Sequence, residues 1–318
     1  MNHRILGRTG MHVSEIAFGG VEIGMPYGIG IQSEKDMLTK NEAISLLHSA
    51  LESGINFFDT ARIYGNSEQI MGKAFHDRRD QVILCSKCRH FAGPDGAIPS
   101  YQELKTIIEA SLSESMAALR TDFLDIFMLH QATPRILAND DVSRIMADLK
   151  TSGEVRAIGV STYSAEETVK AIEAGIWDVI QLPFNLLDQR QQPCFSQAAE
   201  AGIAIVIRSV LLKGLLSDRG RNLHPALKDV EIHIRNYTKI QKDKYPDLPT
   251  LATKFALSFE EIASVLIGID RQQYLDQSIA VADGHYMDAA SITEVQKMAY
   301  PDPAFIDLPY WDRMGWLR

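Results

Sequence analysis

A closed (β/α)8 TIM barrel, with an N-terminal β-hairpin and extended C-terminal loops, is the fold this sequence predicts. Three observations predict it. Eight short apolar segments recur along the chain, a helix-patterned stretch separates most neighbours, and polar side chains stand where several of the apolar segments stop.

Residues 4–6 and 11–13 flank the polar tip Gly7-Arg8-Thr9-Gly10 and read as the hairpin. Residues 16–18 are a short apolar run ending in Gly19-Gly20, the expected first barrel strand. Helix 41–52 puts Ile44, Leu47 and Ala50 or Leu51 on one face, and Gly54 stops it before strand 56–58. Helix 67–75 leads to strand 82–85, helix 101–119 to strand 124–129, and helix 142–152 through Gly153 to strand 156–160. Helix 165–174 precedes strand 179–182, and helix 194–201 precedes strand 203–207. A longer irregular or helical stretch, 217–248, comes before helix 250–257 and the eighth strand, 264–267. A doubly wound sheet is the competing architecture, but the chain has no strand-adjacent GxGxxG fingerprint to serve it. No linker-like boundary divides the sequence, so one barrel domain over residues 1–318 is expected.

With 41 acidic against 32 basic residues, the formal charge of −9 argues against a general nucleic-acid surface, while leaving room for a local phosphate pocket. The N-terminal residues lack the apolar core of a signal peptide, and no segment approaches the roughly 20 apolar residues that span a bilayer. A soluble cytoplasmic protein without nucleic-acid or membrane partners is the expectation. Three cysteines do not make a disulfide scaffold.

Four side chains on three successive strand ends carry the candidate chemistry. Asp59 ends the apolar run Phe57-Phe58, Tyr64 follows within the same loop, Lys87 follows 82–85, and His130 follows 126–129. At the mouth of one closed sheet these groups converge. Singly, each has a plainer reading: Asp59 as a turn cap, Tyr64 as a cover for the core, His130 as a structural histidine. Together, a Tyr beside a Lys–Asp pair and a His suits protonation of a carbonyl oxygen while hydride reaches its carbon. Lys87 needs a partner behind so apolar a run, Asp59 can supply it, and the cation is expected to favour phenolate character at Tyr64. Cys85-x-x-Cys88 with His90 invites a metal or dithiol reading, but no second cysteine pair accompanies it, so no metal is expected.

Across nearly its whole length the chain resembles the aldo-keto reductase family. FFDTARIYGNSEQIMG looks like the family's Asp-Thr-Ala-x-x-Tyr-Gly signature, LCSKC places a Lys, DIFMLHQ a His, and GEVRAIGVST resembles Gly-Lys-x-Arg-x-Ile-Gly-Val-Ser-Asn. The resemblance implies a catalytic tetrad of Asp59, Tyr64, Lys87 and His130, and an extended NAD(P)(H) across the barrel mouth. It brings the backbone of Gly20 and Val21 toward the cofactor, and assigns Ser161 and Gln181 to the nicotinamide carboxamide.

This chain departs from the family at several of those places. Thr162 replaces the usual Asn, and its hydroxyl cannot copy both functions of an amide. Arg208 stands where many members put an aromatic ring against nicotinamide; a guanidinium can stack there, or reach an acidic substrate or the pyrophosphate. Ser209 and Leu211 match positions lining the cofactor bridge. At the adenosine end, Gly268 replaces a frequent Lys, Asp270 stands where some members carry an Arg for the 2′-phosphate, and Gln277 and Ser278 replace a Glu-Asn pair. Asp270 favours NAD(H) over NADP(H) by repelling the extra phosphate, with Arg271 as counterweight. The cofactor is therefore expected to be NAD(H) or NADP(H), leaning to NAD(H).

Residues 217–248 are expected to hold a cofactor flap with His224 in a loop, and Trp311 or Trp316 either closes the substrate pocket or anchors the tail. Arg62, Asn185, Asp188 and Arg208 are expected near the mouth, which suits a sugar or small hydroxylated carbonyl better than a steroid. The function expected is interconversion of an aldehyde or ketone with its alcohol. Its rivals are a noncatalytic regulatory barrel and a hydrolase or aldolase using Lys87 as base or Schiff-base lysine. A monomer is expected by resemblance.

Overall fold

The computed structural model describes residues 1–93 and 95–317. The expected hairpin is a separate antiparallel pair, β1 (His3–Ile5) and β2 (His12–Ser14), in the register His3 opposite Ser14. Eight parallel strands then close into a barrel: β3 (Ile16–Gly19), β4 (Phe57–Asp59), β5 (Ile83–Lys87), β6 (Leu124–Leu129), β7 (Val155–Ser161), β8 (Val179–Pro183), β9 (Ala204–Arg208) and β10 (Ile262–Gly268). Each pairs with its sequence neighbour, and β10 pairs with β3 as well as β9, which closes the ring. The eight-strand count of the sequence is thus the observed one, and the helices fall between the strands as expected. Residues 217–248 resolve into a short 3-10 turn, Pro225–Leu227, and a helix, Lys228–Lys244.

Side chains alternate across each strand, so one set fills the barrel and the other faces the helices. The inner set, Ala17, Phe57, Ile83, Cys85, Ile126, Met128, Ala157, Val179, Ala204, Val206 and Leu266, forms its own buried cluster. Leu6, Met11 and Val13 of the hairpin segment join that cluster, so the hairpin stoppers one end of the barrel. The outer set, including Phe18, Phe58, Leu84, Phe127, Ile158 and Ile207, packs in the cluster that includes the helices. Following the inner rows two residues at a time leads from Phe57 to Asp59, from Cys85 to Lys87, from Met128 to His130, from Val179 to Gln181, and from Val206 to Arg208. The apolar filling therefore gives way to polar groups at one level, the C-terminal mouth.

Buried carboxylates tie the sheet together. Asp125 on β6 accepts from Arg79 (2.6 Å), Arg156 (2.8 Å) and the Leu84 amide of β5 (2.9 Å). Asp178 accepts from Arg8 (2.9 Å) in the hairpin turn and from Lys150 (2.7 Å), holding hairpin to barrel. Such pairs fix geometry more than they add stability, because desolvation offsets much of their attraction. Helix starts follow local chemistry: Thr39 and Glu42, Ser100 and Glu103, and Ser164 and Glu167 form reciprocal capping boxes.

The tail helix Leu308–Arg313 places Trp311 fully inside the protein beside Phe305, while Trp316 packs on Phe305, Tyr310 and His224. Both tryptophans anchor the tail, and neither lines the barrel-mouth cavity. Of the two roles expected for them, pocket closure and tail anchoring, the aromatic cluster answers to the second. Among the described residues no helix is long and apolar enough to cross a membrane.

Candidate active site

Asp59 and Lys87 are the last residues of β4 and β5, and neighbouring strands bring them together. Lys87 is fully buried, and its Nζ donates to Asp59 Oδ2 at 2.5 Å and to the Thr60 carbonyl at 2.9 Å. Burial works against the cation, but Asp59 first, with Tyr64 and Cys85, together outweigh it and hold Lys87 above its ordinary value. Gln181, from β8 across the barrel, donates its Nε2 to the other oxygen of Asp59 at 2.9 Å. Asp59 is thus a two-sided acceptor locked between two donors.

Tyr64 sits in the loop after β4. That loop is pressed against the short helix Val21–Gly24: a Cβ on Gly24 would collide with the Tyr64 carbonyl, and one on Gly65 (φ +55°) with the Gly24 carbonyl. Two glycines therefore permit the approach that fixes Tyr64. Its ring centroid is 5.0 Å from Lys87 Nζ, and its hydroxyl is 3.5 Å from His130 Nε2. Burial raises the Tyr64 pKa, and Lys87 offsets that only in part. Lys87 pulls toward the phenolate in the expected direction, but desolvation outweighs it, so the hydroxyl keeps its proton at neutral pH.

His130 titrates well below its ordinary value of 6.5, through burial first and then the charges of Lys87, His90 and Arg208. It is a neutral imidazole at neutral pH. Its Nδ1 is buried with no hydrogen-bond partner among the described residues, and His90 rests edge-on against it, 5.4 Å between centroids. Cys85 and Cys88 are buried free thiols, both raised in pKa by burial, which keeps them protonated. Among the described residues no group of three or more His, Cys, Asp or Glu is arranged to hold a metal ion.

A cavity of about 400 Å³ opens from this cluster. Asp59, Tyr64, His130, Gln181 and Arg208 line one part of it, Gly20, Val21, Ser209 and Leu211 line it further, and Gly268, Asp270, Gln277 and Ser278 belong to the same wall. Ser161 and Thr162 do not line it: Arg208 covers them, donating to Ser161 Oγ at 3.3 Å and to the Thr162 carbonyl at 2.8 Å. The Thr162 hydroxyl is used on Thr168 at 2.7 Å, inside the protein, which answers its expected place against the cofactor with a purely internal bond. Arg208 also lies 4.2 Å over the Tyr163 ring.

The loop after β9 is strained, with Ser209, Leu212 and Lys213 at φ of 58°, 49° and 57°. Each such residue costs on the order of 1–3 kcal/mol, a cost that concentrates where backbone must meet a ligand. Asp270 is held by Arg219 (3.1 Å) and Arg271 (3.1 Å); burial raises its pKa, but the two guanidiniums prevail and keep it ionised.

Three residues expected at the mouth lie elsewhere. Arg62 bridges Glu68 and Glu114, Asn185 caps the amides of Leu187 (3.0 Å) and Asp188 (2.9 Å), and Asp188 pairs with Arg190 (2.7 Å). These contacts turn them to the scaffold, although Arg62 Nε and Asn185 Nδ2 are buried without a partner among the described residues, and of that group Arg208 alone lines the cavity. Lining residues the sequence did not single out include Glu22, Tyr27, Tyr163, Lys213 and Arg219.

The model of the "Aldo/keto reductase family" matches residues 15–299, which takes in every barrel strand and the whole cavity wall. The chain belongs to the aldo/keto reductase family. Members of this family are oxidoreductases that use NAD(P)(H). This aldo/keto reductase is 26% identical over 315 residues to the L-galactose dehydrogenase of Arabidopsis thaliana, covering 94% of each chain. It is 26% identical over 323 residues to an NADH-specific methylglyoxal reductase of Escherichia coli, covering 92% of this chain and 97% of the other. The holo form of aldo-keto reductase AKR11C1 from Bacillus halodurans superposes with a TM-score of 0.77 at 25% identity, over 95% of this chain and 99% of that one.

The residues present fit a nicotinamide dinucleotide. One cavity joins Tyr64 and His130 to a wall of Gly268, Gln277 and Ser278, and its lining includes Glu22, whose Oε2 is buried with no partner among the described residues.

Proposed function

We propose that this chain is an NAD(P)(H)-dependent oxidoreductase that interconverts a small hydroxylated aldehyde or ketone and its alcohol, with Tyr64 as the proton donor. The observation that carries the reading is the Tyr64 hydroxyl, protonated at neutral pH, 3.5 Å from a neutral His130 and open to the cavity. The dinucleotide supplies the hydride when bound. Everything else falls to the chain. His130 donates a hydrogen bond from Nε2 to the carbonyl oxygen and orients it toward Tyr64. Tyr64 gives its proton to that oxygen as the carbon gains its hydrogen, and the phenolate left behind faces Lys87, which stabilises it. Asp59, itself held by Gln181, and the Thr60 carbonyl hold Lys87 in place, and water restores the Tyr64 proton.

A small hydroxylated substrate is supported by the lining near Tyr64, where the hydroxyls of Tyr27 and Tyr163 and the guanidinium of Arg208 offer hydrogen bonds. The names of the relatives, a sugar dehydrogenase and a methylglyoxal reductase, point the same way. NAD(H) is the proposed nucleotide, because ionised Asp270 opposes the additional 2′-phosphate of NADP(H) and already occupies Arg219 and Arg271. A noncatalytic barrel leaves the costly burial of Lys87 without a purpose. The test is a screen of NADH and NADPH absorbance against 2-oxoaldehydes, aldoses and ketoses. Consumption of reduced nucleotide that depends on the carbonyl supports the proposal, and binding of both nucleotides without any turnover overturns it.

A further inference from the structure

Glu22 is a carboxyl that the tetrad does not use. It stands on the short helix Val21–Gly24 beside the C-terminal end of β10, lines the cavity, and has an oxygen, Oε2, buried without a hydrogen-bond partner among the described residues. Gly268 makes its position possible, because a Cβ there would overlap Glu22 Oε1. The carboxyl therefore fills the space that any side chain at 268 would take.

Geometry sets its place in the cavity. Glu22 follows Gly20 and Val21, which line the cavity with Asp59 and Tyr64, and it lies against Gly268, on the wall that includes Asp270, Gln277 and Ser278. It thus stands where the Tyr64 end of the cavity meets that wall, the stretch that the diphosphate of an extended dinucleotide must cross. An ionised carboxylate at that point opposes a diphosphate, whereas a carboxylic acid donates to it.

We infer that Glu22 is a binding residue for the diphosphate of the dinucleotide, donating a hydrogen bond from its carboxylic acid, so that the nucleotide binds to the protonated form of the site. This rests on the dinucleotide reading of the cavity. Burial, and after it the charge of Asp270, raise the Glu22 pKa to about 8, against the pull of its own backbone amide, Arg219 and Lys213. The acid form thus predominates at neutral pH and is lost as pH rises. Asp270 stays ionised in its two guanidiniums, and burial holds the Tyr27 pKa above its usual range, so neither of these neighbours changes charge near pH 8.

NADH, whose diphosphate does not titrate here, is the probe. Its Kd, read by quenching of protein fluorescence, should weaken about tenfold between roughly pH 7 and 9 if only the acid form binds. Calorimetry near pH 8 in two buffers of different ionisation enthalpy should show proton uptake on binding. Glu22→Gln keeps a donor of the same shape and should give a pH-independent Kd and no proton uptake. Gly268→Ala, which displaces the carboxyl, should weaken binding at pH 7 and flatten the profile.

A wild-type Kd that is flat with pH, or a slope and proton uptake retained in Glu22→Gln, would overturn the role of Glu22 while leaving the dinucleotide reading intact. No NADH binding at any pH would overturn both.

Discussion

Replacing Asp59 with Asn tests the part of the site with the most energy in it. Both Asp59 oxygens accept from donors, Lys87 Nζ at 2.5 Å and Gln181 Nε2 at 2.9 Å. An amide has one oxygen, so its NH2 must face one of those donors. Lys87 would then face at best a neutral amide oxygen beside the Thr60 carbonyl at 2.9 Å, with no paired anion, in a place where its side chain has 0% exposure. Removing one partner of a buried pair costs about 3–5 kcal/mol, against a total stability of about 5–15 kcal/mol. Adding Lys87→Met removes the stranded cation, and the double variant should recover about 1–3 kcal/mol relative to the sum of the two single changes. The assay is urea unfolding of the wild type, both single variants and the double variant, compared by midpoint at a common m value. Asp59→Asn within about 0.5 kcal/mol of wild type, or singles that add to the double within the same margin, would refute the idea that Lys87 depends on Asp59 for its charge.

Two further outcomes follow from the same geometry. His130 is held neutral by burial, so the unfolded chain binds a proton there that the native protein refuses; stability should fall as pH drops below about 6.5, by up to about 1.4 kcal/mol per pH unit. His130→Asn should lose that share of the slope, and an unchanged pH series of unfolding midpoints would contradict the assignment. Asp270→Asn releases Arg219 and Arg271 and should shift the ratio of NADPH to NADH affinity toward NADPH by roughly fivefold, about 1 kcal/mol. Equal changes in the two titrations would place Asp270 away from the adenosine end.

The barrel was legible because each strand is a short apolar run with a helix-patterned segment beyond it, and residues such as Ile126, Phe127 and Met128 have nowhere to go but a core. The placement of Asp59, Lys87 and His130 was legible for the same reason, since a polar group two positions beyond an inward-facing apolar one must stand at the rim. What sequence cannot supply is the partner. Arg62 and Asp188 look like pocket polarity until Glu68 and Arg190 are seen against them. Lys87 favours the Tyr64 phenolate as its charge suggests, but the larger opposing effect, burial, is visible only once the fold is known. Glu22 went unremarked because nothing local tells a buried carboxyl just beyond a strand from a solvated one; the available signal was the pairing of an acid at 22 with a glycine at 268, positions brought together by the closure of β10 on β3. Trp311 and Trp316 were ambiguous because an aromatic ring serves a pocket or an anchor equally well, and the deciding contact, Phe305, lies in a single 3-10 turn too short to leave a periodic signal.

The most direct measurement is a single turnover of NADH bound to wild type and to Tyr64→Phe, mixed with a carbonyl compound from the screen. The substitution should leave the NADH Kd within about twofold while slowing nucleotide oxidation by roughly 10²–10⁴-fold. Equal rates in the two proteins, or a wild type that never oxidises NADH or NADPH in the presence of any carbonyl, would contradict the assignment of Tyr64 as proton donor.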